Sequence, residues 1–401
     1  MLLIKHAHLI MDEHTELFDV DIYIENGKIV EIGKIENKNC ETIDAKNNLV
    51  IPGMIDVHLH GSMGYDFTDG NQKVIDEVSK DVIKDGVTGY LGSLTVVPHE
   101  KMMNILENYS KVIQPNCAIF HGIHAEGPYI SMEYKAVMNP KYIRPFNEDE
   151  FMDMVQYPNL IKTMTYSPSI ENANHLLELG IKNNIAMMVG HTSATCEQSL
   201  NAIKDGAKGF THLYNAMSPH THRDPGTVTA AFNSNGFCEL ITDTIHVHPE
   251  VIKMTYNGIG SSRIILVTDA MNAKSLEDGL YNFSDLMILK KDGKAYVPET
   301  GRLAGSVACL NECMRNMKEI TNASYPNLIE MVSVNPAKLL NVDDYKGRLQ
   351  VGYDADIAIL DNDLNCMTTI IKGEVVYQRE MTNGSSISHF YFINSSVNFI
   401  I

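Results

Sequence analysis

Residues 54–95, MIDVHLHGSMGYDFTDGNQKVIDEVSKDVIKDGVTGYLGSLT, hold one full unit of the pattern that organises the chain. A β-rich run, Met54 to His58, opens the unit. A helical segment from Lys73 to Lys84 follows, with Val74, Val78 and Val82 on one face, and a second β-rich run spans Thr88 to Thr95. Strand, helix and strand in this order build parallel sheets through right-handed crossovers. Outward from this unit the runs continue at Ala118 to His124, Ile161 to Tyr166, Ile185 to Val189, Lys208 to His212, Phe237 to Thr242 and Arg263 to Thr268, with helical segments such as Glu197 to Lys204 between them. Eight strand-helix units close a (β/α)8 barrel, the TIM-barrel architecture, which the spacing predicts over 52–348.

Both chain ends have a different texture. Val20, Ile22 and Ile24 alternate into Glu25-Asn26-Gly27-Lys28, where Asn-Gly supplies the positive φ angles of a tight hairpin. The same alternation returns in 355–360 and from Thr368 to Tyr377, around Lys372-Gly373-Glu374. Residues 1–51 and 349–380 are therefore expected to share one small β-sandwich. Pro326 to Leu340 reads as an added helix that returns the chain to it, and 381–401 as a terminal tail docked at a subunit contact.

With 401 residues and 44% apolar content, the chain can bury one large core and a smaller satellite. Its formal charge of -18 disfavours nucleic acid, which would need a basic stripe. The seven cysteines form no CxxC pair and are odd in number, against a disulfide framework or zinc ribbon and in keeping with a reducing cytoplasm. The N-terminus MLLIKHAHLIMDEH is too polar for a signal peptide, and no run of about 18 apolar residues offers a membrane span.

Polar residues able to bind metal recur where the runs end, the catalytic face of such a barrel. Run one ends in His58-Leu59-His60, and alternate positions on a strand point the same way, so both imidazoles can reach one ion. Run three ends in His124-Ala125-Glu126-Gly127-Pro128, run five in Gly190-His191-Thr192, run six in His212-Leu213-Tyr214-Asn215 and run eight in Thr268-Asp269-Ala270. Any one of these would more often be structural; their convergence on one rim is what points to a metal hydrolase. A bound Zn²⁺ or similar ion lowers the pKa of water from about 15.7 towards 7 and polarises a carbonyl. Asp269 would then take the proton of the attacking water and pass it to the departing nitrogen.

Taken together and in order, these segments, with Pro52-Gly53-Met54, Arg223-Asp224-Pro225-Gly226, Ile245-His246 and Leu303-Ala304-Gly305-Ser306, resemble the N-acetylglucosamine-6-phosphate deacetylases of the amidohydrolase superfamily over nearly the whole chain. The resemblance implies a principal divalent metal, Zn²⁺ first and otherwise Fe, Mn, Co or Ni, on Glu126, His191 and His212. It implies a second site on His58 and His60, so one ion or two. It further implies an amino-sugar phosphate bound by Val137, Met138, Asn215, Ala216 and His246, a pocket lined by Leu303, Ala304 and Gly305, and a homodimer in which Arg223 crosses to hold the neighbour's phosphate. A guanidinium suits that task because its planar fork donates two hydrogen bonds.

Three positions depart from the family pattern. Met138 stands in Ala136-Val137-Met138-Asn139-Pro140 where a histidine usually donates to the substrate, and a lost donor of this kind costs about 2.7–4 kcal/mol at the transition state. Thr244 and Ser275 replace glycines, and a β-branched threonine resists the backbone angles that glycine adopts. These changes keep open an N-acetylgalactosamine-6-phosphate deacetylase or other amidohydrolase, and a metal-binding barrel without turnover acting as a ligand sensor. A cyclic-amide hydrolase with a carboxylated lysine is disfavoured, because run four ends in Tyr166-Ser167-Pro168-Ser169 with no lysine.

Overall fold

The structure is a computed structural model describing residues 1–36 and 38–379. Eight parallel strands follow the expected runs closely: β1 (Met54–Leu59), β2 (Val87–Leu94), β3 (Ile119–Glu126), β4 (Ile161–Tyr166), β5 (Ala186–Val189), β6 (Gly209–Phe210), β7 (Phe237–Ile241) and β8 (Ile264–Val267). Each pairs with the next in chain order. The ring closes between first and last through a parallel bridge from Leu59 to Ala270. The Asp269 N–H donates to the His58 carbonyl at 2.9 Å there, and the His60 N–H to the Ala270 carbonyl at 2.8 Å.

A helix follows every strand: α1 (Gln72–Val82), α2 (His99–Ser110), α3 (Glu148–Met154), α4 (Ala173–Lys182), α5 (Cys196–Lys204), α6 (Thr227–Phe232), α7 (Pro249–Ile259) and α8 (Leu310–Thr321). The apolar stripe of α1, with Val74, Ile75, Val78 and Val82, is buried as the 3.6-residue period requires. The start of α5 is fixed by a capping box between Thr195 and Gln198. The added helix is present as Tyr325–Ile329, a π turn Glu330–Val334 and Asn335–Leu339. Its Ala337 and Leu339 pack with Ile55, Val57, Ile265 and Val267, covering the seam between β1 and β8.

Both chain ends meet in one eight-stranded sheet. Leu2–Ile10 pairs antiparallel with Glu16–Glu25 on one side and, on the other, parallel first with Glu41–Asp44 and then with Leu49–Pro52. Ile357–Leu360 joins antiparallel to Leu49–Pro52, which leads directly into β1. Asn26 and Gly27 have φ of 51° and 76°, the two positive angles of the expected hairpin. The tail at 381–401 lies outside the described residues.

One element was not anticipated. Between β8 and α8 the chain forms a three-stranded antiparallel sheet, Gly279–Phe283, Leu286–Lys291 and Lys294–Tyr296. Asp292-Gly293 at its second turn, with φ of 51° and 74°, is the hairpin signal that could have revealed it.

Candidate metal centre and substrate cavity

Parity along β1 sends both histidines inward, with His58 Nε2 and His60 Nε2 3.3 Å apart. Glu126 ends β3, and Gly127 after it takes a φ of 93°; a Cβ there would meet Val96 Cγ1 at 2.8 Å, so the turn needs glycine. His191, His212 and Asp269 leave their strands in the left-handed region, with φ of 46°, 29° and 48°. That conformation swings each side chain over the barrel mouth, and it explains why β6 stops short of His212. Such angles cost about 1–3 kcal/mol each and persist only where the surroundings over-determine them.

The side chains form two groups that share one carboxylate. In the first, His191 Nε2 and His212 Nε2 each lie 3.0 Å from Glu126 Oε1 and 3.1 Å from one another. In the second, His60 Nε2 lies 3.2 Å from Glu126 Oε2, and His58 Nε2 lies 3.6 Å from Glu126 Oε1. Asp269 Oδ1 is 3.4 Å from His58 Nε2 and 3.3 Å from His60 Nε2.

A tetrahedral ion with ligands at about 2.0–2.1 Å places its donors about 3.3 Å apart, so both groups fit a divalent metal. Tautomers agree. His191 Nδ1 donates to the Tyr134 carbonyl at 2.8 Å and His58 Nδ1 to Glu239 at 3.0 Å, which leaves the Nε2 lone pairs facing the shared carboxylate.

The field at this point favours positive charge. Burial alone would lower the pKa of His58, but Asp269, Glu239 and Glu126 outweigh it and raise it to about 9. Burial likewise opposes, and Asp269 and Glu126 overcome it, at His60, which rises to about 10. In return, burial pushes Asp269 up and His58 and His60 hold it well below the usual carboxylate range. The carboxylates that retain protons on these rings are equally disposed to retain a dication.

His124, beside the ligands in sequence, plays a different part. The Leu59 N–H donates to Ser93 Oγ, which lies 2.9 Å from His124 Nδ1, and His124 Nε2 lies 2.8 Å from Thr165 Oγ1. Thr165 continues to Thr211 at 2.7 Å. This hydrogen-bonded belt ties together the strand ends under the metal groups, and burial, then His58, holds the pKa of His124 far below normal.

Above the groups lies a cavity of about 170 Å³. It is lined by His60, Glu126, His191, His212 and Asp269 together with Val137, Met138, Asn215, Ala216, His246, Leu303 and Gly305. His58 is fully buried beneath it, and Ala304 packs with Met271, Ala273 and Phe283 behind the wall. Arg223 is exposed in a loop outside this cavity. Met138 packs with Val96 and Ile130, and it also lines a neighbouring space of about 350 Å³.

Thr244 adopts the glycine-like left-handed conformation with a φ of 64°, and Ser275 does so with a φ of 63°. The reason is local. Asp243 accepts the backbone N–H groups of Ile245 and His246 and the His246 ring at 2.7 Å, which pins the loop regardless of residue 244. Burial would raise the pKa of Asp243 and lower that of His246, but the pair reverses both shifts.

Sequence reasoning missed three contributors. Phe283, from the unanticipated sheet, walls the cavity and meets the His60 ring edge-on at 5.7 Å. Thr95 lines the cavity from the end of run two. Glu239 supports His58 from β7, and its signal was an acid inside the apolar run Phe237-Cys238-Glu239-Leu240-Ile241.

The amidohydrolase family matches residues 49–376 of the chain. The chain is 34% identical over 386 residues to the N-acetylglucosamine-6-phosphate deacetylase of Bacillus subtilis (strain 168), covering 94% of this chain and 97% of that protein. It is 30% identical over 377 residues to the N-acetylgalactosamine-6-phosphate deacetylase of Escherichia coli O157:H7, covering 93% and 98%. The crystal structure of the N-acetylglucosamine-6-phosphate deacetylase from Thermotoga maritima superposes with a TM-score of 0.83 at 33% identity, covering 94% of this chain and 99% of that one.

Proposed function

The chain belongs to the amidohydrolase family, and on that premise we propose that it hydrolyses the acetamide of N-acetylglucosamine 6-phosphate to glucosamine 6-phosphate and acetate. One observation carries this reading: two metal-capable groups sharing Glu126 lie beside Asp269 under a single cavity. When bound, a divalent ion acidifies the attacking water and polarises the acetamide carbonyl. Glu126, His191 and His212 hold the principal ion, and His58 and His60 offer the second site.

Asp269 Oδ1 accepts a proton from water as the water oxygen bonds to the carbonyl carbon. It returns that proton to the sugar nitrogen as the carbon–nitrogen bond breaks, so the amine leaves neutral. Asn215 and His246 offer polar contacts to the sugar, Val137, Met138, Ala216, Leu303 and Gly305 line its pocket, and Ala304 backs the wall.

The finer reading takes Zn²⁺ first, with Fe, Mn, Co or Ni as alternatives, and a cytoplasmic homodimer in which Arg223 reaches the neighbour's phosphate. Seven free cysteines support a reducing setting, and the exposure of Arg223 outside its own cavity supports donation across an interface. Among the described residues, no helix is long and apolar enough to cross a membrane.

Met138, which brings no hydrogen-bond donor to the cavity wall, favours a second reading as a galacto-epimer deacetylase. Acetate release from both 6-phosphates and from the unphosphorylated sugar, after loading with Zn²⁺ or Fe²⁺, decides between them. The gluco 6-phosphate is expected to turn over fastest, with Asp269→Asn retaining metal and losing about 10²–10⁴-fold in rate. Metal binding without acetate release from any of the three would sink the deacetylase reading.

A further inference from the structure

We propose that Glu239 is a positioning residue for the second metal ion, setting the ring orientation and basicity of His58 and thereby deciding whether that site fills; the proposal rests on the two-ion reading above. Glu239 lies in β7 with no exposed surface, among Cys238, Leu240 and Ile241. A carboxylate here has no lysine or arginine within salt-bridge distance among the described residues. Its contacts are His58 Nδ1 at 3.0 Å and the backbone N–H of His212 at 3.2 Å, and both fall on Oε2. Oε1 has no partner among the described residues. The apolar strand around it offers no reason to bury an acid at this point. The two groups it touches supply the reason, because each belongs to a residue of a different metal group.

The chemistry follows from which nitrogen carries the proton. With Nδ1–H held by Glu239, the Nε2 lone pair of His58 faces His60 Nε2 and Glu126 Oε1. A carboxylate partner on the far nitrogen also raises the ring's basicity as a ligand, and losing such partners typically weakens metal affinity about 10–100-fold. His191 has its own anchor in the Tyr134 carbonyl, and Glu239 meets His212 only at its backbone N–H, so Glu239 orients no imidazole of the principal site.

The test is stepwise Zn²⁺ titration of metal-stripped protein, followed calorimetrically and by elemental analysis, on the wild type and on Glu239→Gln and Glu239→Ala. Since both bonds reach one oxygen, the amide of Glu239→Gln can accept both and preserve the fold while removing the carboxylate. The wild type is expected to take two ions per chain. Glu239→Gln is expected to weaken the second by about 10-fold and leave the first within about 3-fold, with Glu239→Ala weakening the second by about 100-fold. A wild type that saturates at one ion overturns the two-ion reading itself. A wild type with two ions and a Glu239→Gln variant with unchanged second affinity overturns the role of Glu239 alone, and equal weakening of both ions shows a general structural role instead. Should Glu239→Ala fail to fold, Glu239→Gln carries the decision.

Discussion

Thr244 and Ser275 hold the same left-handed backbone for different reasons, and the difference can be measured. Thr244 is exposed and its side chain makes no described hydrogen bond, so its φ of 64° is uncompensated strain on a β-branched residue. Replacing it with glycine should raise the unfolding free energy by about 1 kcal/mol, the left-handed cost net of glycine's extra freedom when unfolded. Ser275 donates its hydroxyl to Asp81 at 2.8 Å, in a cluster where buried Lys274 also binds Asp81. Ser275→Gly forfeits that bond, worth about 1 kcal/mol, and should bring no gain. Urea melts that stabilised both variants equally would show that the hydroxyl contributes nothing. At this scale the two metal-capable groups were legible in the sequence because each of their residues sits at a strand end, where position alone assigns it to the barrel mouth. Glu239 was not, since its partner His58 is 181 residues away and no local pattern links them.

Two elements fix Asp269, and each yields an expectation. The segment Leu303 to Ser306 lies along the end of β8: the Ser306 N–H donates to the Asp269 carbonyl at 2.7 Å, and Gly305 has a φ of 65°. A Cβ on Gly305 would sit 2.9 Å from the Asp269 carbonyl oxygen. Gly305→Ala should therefore displace the base and cost about 10²-fold in kcat/KM with metal content retained; undiminished turnover would show that this strap does not position Asp269. The second element is the β1–β8 seam, where Asp56 accepts from Thr268 Oγ1 and from the His58 N–H. Burial, only partly offset by those bonds, raises its pKa from 3.8 to about 6. Between those values the folded protein binds a proton that the unfolded chain does not, so this group adds stability as pH falls from 7 towards 4.5. Denaturation of wild type and Asp56→Asn across that window should show the wild type gaining relative to the variant; a constant difference would refute the shifted carboxyl. Strands β1 and β8 were readable from periodicity and Leu303 to Ser306 only through the family resemblance, whereas the sheet bearing Phe283 was overlooked because its strands fall outside the alternation that defines the barrel.

Over the whole molecule, the two metal groups draw ligands from the ends of β1, β3, β5 and β6, with Asp269 from β8 beside them. Those strands are far apart in sequence, and the belt through Ser93, His124, Thr165 and Thr211 only partly joins them. Eight repeated units made the barrel legible, and matching textures at both ends made the small sheet legible, because each is a short-range pattern. What joins distant strand ends has no such pattern. An ion binding only the folded rim stabilises it by mass action, about 2.7 kcal/mol at a hundredfold excess over Kd. At about 1.2 °C per kcal/mol for a chain of this size, stripping the metal with a chelator should lower Tm by about 3 °C, and Zn²⁺ should restore it. Glu126→Gln, which weakens the residue common to both groups, should largely abolish that metal-dependent shift, while Asp269→Asn should keep most of it. If Tm ignores the chelator while elemental analysis shows the ions removed, the rim is held by the protein alone and the ions serve only the chemistry.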